Sequence, residues 1–220
     1  MSTFGKFLGS NSQNSDPSDK DVRAAAQRIV EGCEPKLIHN RITLLGFADE
    51  LSDIGDLRLE FLNAYWSERR SPDRPIPTRD AFHLEALLPA VGNILILSVE
   101  RGGLDARYRL YGSNVADHAG RDWTGFLVSE MNRITASGLA LMYRSVYLAV
   151  YQTGRPIFCG HRSPDWMSAK TWLRLILPVS EDGVTCTQFV VGNIPVDIRM
   201  QTEFDRIAQH RAVRGSDPVA

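Results

Sequence analysis

ARYRLYGSNVADHAGRDWTG, residues 106–125, carries a strand, a short helix and two glycine turns in close succession. Residues 106–111 alternate, with Tyr108 and Leu110 on one side and Arg107, Arg109 and Tyr111 on the other, which is the two-residue period of a strand. Gly112 breaks the strand, and Ser113 is placed to cap a short helix over 114–119. Gly120 fits the position after that helix, where positive φ is needed. Asp122 and Thr124 suit a turn closed by side-chain-to-backbone bonds. Trp123 falls where an inner pocket would be lined. Arg109 and Asp122 flank this unit, and a bridge between them would tie the strand to the turn.

Upstream, ILILSV at 94–99 is a continuous apolar run that implies burial on both faces. Arg101-Gly102-Gly103 supplies a turn, so 94–99 and 106–111 form a hairpin. Residues 56–70 form a helix with Asp56 as N-cap. Leu59, Leu62 and Trp66 make one apolar stripe, with Phe61 and Tyr65 beside it. That stripe needs an apolar partner, either in the same domain or across a dimer contact. Pro72 ends the helix. Residues 80–88 read as a short helix with Phe82, Leu87 and Leu88 inward.

Downstream, 135–152 is the longest helix, capped by Thr135 or Ser137 and ended by Gly154 and Pro156. Leu139, Met142, Val146 and Ala149 make one stripe, and Tyr143, Tyr147 and Val150 an adjacent one. Strands follow at 156–161, 171–179 and 184–193, the last two joined at Glu181-Asp182-Gly183. In 171–179, Leu173, Leu175, Leu177 and Val179 share one face, and Trp172, Arg174 and Ile176 the other. The all-aliphatic face is expected against the long helix. The mixed face is expected under helix 56–70, through Leu62 and Trp66.

The ends are less patterned. Residues 1–20 are rich in Ser, Asn, Asp, Gly and Pro, a composition that favours disorder, although the FGKFL segment at 4–8 has apolar side chains to dock. Residues 19–32 read as a short helix capped by Asp19 or Asp21, which leads an extension over 21–55 that crosses or covers the core. A domain at 56–195 follows, and then 196–220, a short helix over 201–214 and a flexible tail with no effector sequence.

The 220 residues are 43% hydrophobic and 23% charged with net charge −1, enough to bury a core and with no global drive toward nucleic acid or anionic lipid. No stretch reaches the roughly 20 apolar residues of a membrane span. Cys33, Cys159 and Cys186 are far apart and form no Cys-x-x-Cys pair, which fits a reduced, cytoplasmic setting.

The ordered motifs resemble a PAS domain, and more narrowly a family of mostly stand-alone PAS-like proteins of alphaproteobacteria. The residues that carry the likeness are Tyr65-Trp66, Pro77-Thr78-Arg79, Leu88-Pro89, the 94–97 strand, 107–112, Asp122-Trp123-Thr124-Gly125 and Leu177-Pro178. The resemblance implies an α+β fold, a five-stranded antiparallel sheet with helices on one face and an N-terminal helical extension. It also implies a non-enzymatic sensory or regulatory module that signals through another protein, and the formation of a homodimer. Two readings stay open, a sensor with a small molecule between helix 135–152 and the sheet, and a ligand-free adaptor with a packed core. Trp123, Met142, Tyr143, Val146 and Leu175 are the candidate ligand contacts, with Tyr147 nearby, and Leu62, Trp66 and Trp172 the candidate interaction residues. Neither haem nor flavin is supported. The long helix has no His to ligate iron, His118 and His161 read as surface or structural, and there is no Asn-Cys-Arg-Phe segment for flavin photochemistry. The dispersed histidines suggest no metal site, and no nucleophile elbow is present.

Overall fold

The computed structural model describes residues 16–51, 53–135 and 137–207. The FGKFL segment and residues 208–214 of the expected last helix lie outside them. Helix α1 spans Asp19–Val30, and strand β1 Ile42–Phe47. Helix α2 (Leu57–Ser67) leads through 3-10 turns to the hairpin β2 (Ile94–Glu100) and β3 (Asp105–Tyr111). Three helices follow, α3 (Ser113–Ala119), α4 (Glu130–Thr135) and α5 (Leu139–Thr153). Strands β4 (Ile157–Arg162), β5 (Ala169–Ser180) and β6 (Cys186–Ile198) complete the sheet, whose order is β1-β4-β5-β6-β2-β3 with every pair antiparallel.

The hairpin forms for the expected reason. Arg101, Gly102 and Gly103 all take positive φ, at 51°, 63° and 83°, a run that two glycines make accessible. At the other end Gly112 stops β3 by close approach. A Cβ there would stand 2.3 Å from the Gly92 carbonyl oxygen. The Ser113 side chain does not cap α3, whose N-cap is Gly112, while Gly120 does terminate it at φ 72°. Asp56 caps α2 through a bond accepted from Arg58 N. Helix α1 is capped by Ser18 rather than by Asp19 or Asp21, and Asp21 returns the bond to the Ser18 backbone in a capping box.

Four expectations need correction. The sheet has six strands, because the extension contributes β1 beside β4. A bulge between Ile42 and Leu44 breaks its alternation, which hides the strand in the sequence. The long helix does not start at Thr135. That residue ends α4, where its hydroxyl bonds Met131 O at 2.7 Å, and Gly138 at φ 70° turns the chain into α5. Residues 80–88 form 3-10 turns (Arg79–Ala81 and Leu84–Ala90), with Leu87 buried but Leu88 exposed, since Pro89 deprives a continuing helix of a donor.

The layers, too, differ from the expected arrangement of helices on one face. Helices cover both faces of the sheet. Helices α1 and α5 lie on one side, while α2 and the turn Leu84–Ala90 lie on the other. The central strands β5 and β6 are buried on both sides over most of their length, so neither face is left wet. The two helical layers also meet the faces of β5 in the order opposite to that expected. Leu59, Leu62 and Trp66 of α2 pack with Leu175, Leu177 and Val179, while Trp172 and Ile176 lie with α5. Each fully buried Leu on α2 contributes about 1.5–3 kcal/mol. Trp66 Nε1 donates to Pro178 O at 2.7 Å, beyond Ile176 where the pairing of β4 with β5 ends.

Candidate functional site

The face order follows from Arg174. Alternation in β5 places it between Trp172 and Ile176, and the strand lies between β4 and β6, so the residue is only 3% exposed. A buried cation needs polar partners. Helix α2 offers Leu59, Leu62 and Trp66, whose one N–H is taken by Pro178. The inward side of α5 offers the hydroxyls of Tyr143 and Tyr147, one turn apart. The Arg-bearing face therefore meets the Tyr-bearing helix.

Arg174 Nη2 donates to the Tyr147 hydroxyl, and the guanidinium carbon lies 4.3 Å from the centre of the Tyr143 ring. Tyr143 in turn bonds His161 Nε2 at 2.7 Å. Tyr147 stacks on Phe189 of β6 with ring centres 5.0 Å apart. Cys159 of β4 and Asn193 of β6 sit directly across the sheet from Arg174, on the same face. Tyr108 of β3 closes the group beside Tyr147.

This cluster is not saturated. Arg174 Nε, His161 Nδ1 and Asn193 Oδ1 are buried and have no hydrogen-bond partner. Among the described residues, no carboxylate lies within ion-pair distance of Arg174. Burial raises the Tyr143 hydroxyl to about 12 and the Cys159 thiol to about 11. Burial, aided by the Arg174 charge, drives His161 well below 6.5. At neutral pH the cluster therefore holds one positive charge among neutral groups.

The expected ligand contacts divide. Trp123, Met142, Tyr143, Val146 and Tyr147 are all buried on the α5 side. Leu175 is not with them, because it points to α2. Of the expected interaction residues, Leu62 and Trp66 are core residues under α2 and Trp172 is buried on the opposite face, so none of the three presents a free surface. Arg174, His161, Cys159, Asn193 and Tyr108 complete the cluster without having been singled out as contacts. The legible signal was an arginine at the centre of an otherwise apolar strand. The expected Arg109–Asp122 bridge is not formed. Arg109 bonds Ser98 Oγ at 2.9 Å and lies 3.6 Å from Glu100, while Asp122 accepts from Thr124 N in its own turn.

Helix α5 is also held from outside. Arg144, 3% exposed, donates to Leu104 O, Pro17 O and Asp19 Oδ1 at 2.8–3.0 Å. Asp19 also pairs with Arg101 of the hairpin turn at 2.5 Å. One carboxylate thus joins the start of α1 to α5 and to the β2–β3 turn. On the α2 face a groove of about 1140 Å³ opens over Ile96, Val179 and Val190. Its rim mixes Arg74, Arg79 and Arg109 with Asp80, Glu181 and Asp182, so it carries no dominant charge. Among the described residues, no helix is long and apolar enough to cross a membrane.

A family model described as a PAS domain matches residues 57–189, more than half of the 220-residue chain. No curated protein and no solved structure matches it.

Proposed function

The chain belongs to the PAS domain family, and on that premise we propose that it senses a small molecule held between α5 and the sheet. Sensory and regulatory signalling is the role this family membership indicates. The observation that carries the finer reading is the buried cluster around Arg174, in which three polar atoms are left without partners. Such atoms are costly to leave unmade, by about 1–3 kcal/mol each, and a ligand that satisfies them gains that much in return.

Signal transfer follows from the contacts of α5. A ligand under the helix bears on Tyr143, the residue before Arg144, and on Tyr147, three residues after it. Arg144 holds Asp19, and through it the first turn of α1. Occupied and empty states then differ in how α1 is seated, and the ligand shifts the balance only by its different affinity for the two. The module works without catalysis, in the cytoplasm and as a homodimer, and passes its state to another signalling protein.

Native mass spectrometry of the freshly purified full chain tests this. A small mass that is retained under gentle conditions and released on denaturation is expected. A bare chain, with no thermal shift against any small-molecule panel, overturns the sensor reading. The groove over Ile96, Val179 and Val190 favours the second reading, a ligand-free adaptor that docks a partner there. Under that reading substitution of Val190, and not of Tyr143, abolishes partner binding.

A further inference from the structure

We propose that the ligand is a small monocarboxylate whose charged group is held by Arg174. The inference rests on the sensor reading and adds the chemical class. Arg174 is a guanidinium removed from water with no acidic partner among the described residues, and one of its donors, Nε, is unmatched. Removing an ion from water is tolerable only when a counter-charge or a full set of hydrogen bonds replaces the solvent. Tyrosine hydroxyls and ring faces supply part of that replacement, and a planar carboxylate supplies the rest, because its two oxygens match the guanidinium fork.

The surroundings fix the charge and the body of the ligand. Arg174 is the one cation in the cluster, and burial keeps His161 neutral, so a single negative charge is balanced and a phosphate dianion is not. Unpartnered Asn193 Oδ1 is an acceptor and suits a donor on the body of the ligand, away from the carboxylate, while His161 Nδ1 donates or accepts according to its tautomer. The other side chains of this core layer include Phe189, Val191 and Met142, which are apolar or aromatic. An acid with an aromatic or short aliphatic body fits this division of polar and apolar surface.

The test uses the full chain with benzoate, phenylacetate and hexanoate, each beside its neutral amide, read by thermal shift and calorimetry. At least one acid is expected to bind while its amide does not. Arg174→Gln is expected to weaken that acid about 100-fold or more, the scale of losing a buried charged partner. Arg174→Lys, which retains the charge, is expected to lose less, and covers the case in which Arg174→Gln fails to fold. Equal or tighter binding of the amides overturns the carboxylate assignment and leaves the sensor reading standing. If no probe binds, the mass retained in native spectra decides. An organic acid supports the proposal and a neutral or cationic compound overturns it. Absence of both probe binding and a retained mass overturns the proposal together with the sensor reading.

Discussion

Gly192 of β6 faces α2, and adding one methyl group there measures how tightly that helix is seated. A Cβ at this position would stand 2.4 Å from Leu59 Cδ2 and 2.7 Å from Leu62 Cδ1. Ordinary carbon contacts are near 3.5–4.0 Å, so both leucines must retreat by about an ångström. Neither has room to do so into solvent, since both are fully buried. Over-packing of this kind costs about 1–3 kcal/mol. Replacing Gly by Ala inside a strand offsets about 0.5–1 kcal/mol by reducing the freedom of the unfolded chain. A net loss of about 1–2 kcal/mol is therefore expected for Gly192→Ala. At about 2–4 °C per kcal/mol for a chain of this size, Tm falls by roughly 2–8 °C. Urea unfolding followed by tryptophan fluorescence gives the free energy, and a cycle with Leu59→Ala gives the coupling. Alone, Leu59→Ala costs about 2.7–5 kcal/mol through the cavity it leaves. In the Gly192→Ala background part of that space is filled, so the two changes are expected to couple by at least about 0.5 kcal/mol. Strict additivity, or stabilisation by Gly192→Ala, refutes the packing of α2 on this face.

Two further outcomes are expected. Trp66→Phe keeps an aromatic ring in the α2 core but orphans the Pro178 carbonyl, with a loss of about 1–3 kcal/mol; a lowered urea midpoint at unchanged m is the signature, and an unmoved midpoint contradicts the bond's role. Stability is also expected to fall as pH drops below about 6.5. Burial, with Arg41 adding to it, lowers His39 to about 4, and His161 lies well below 6.5. The unfolded chain therefore binds protons that the folded chain refuses, so stability is complete above 6.5 and declines toward 4. With both histidines the slope approaches two protons, about 2.7 kcal/mol per pH unit, and His39→Gln is expected to halve it. A flat urea midpoint between pH 6.5 and 4.5 would show that neither imidazole is held neutral.

The features legible in the chain alone were local. Alternation in 106–111 and 171–179, the Arg101-Gly102-Gly103 turn, the Asp56 cap and Gly120 each depend on residues close together in the chain, and each set one element. Their order was enough to place the chain in its family. Strand β1 was obscured because a bulge interrupts its period, and the start of α5 because Thr135 and Ser137 look like caps while Gly138 makes the turn. The candidate site depended on a choice no window could reveal. Periodicity says that β5 has an aliphatic face and a face with Trp172 and Arg174, but not which helix meets which. Tertiary structure decided it, since a buried guanidinium is stable only where hydroxyls reach it. Those hydroxyls belong to Tyr143 and Tyr147, about thirty residues earlier in the chain.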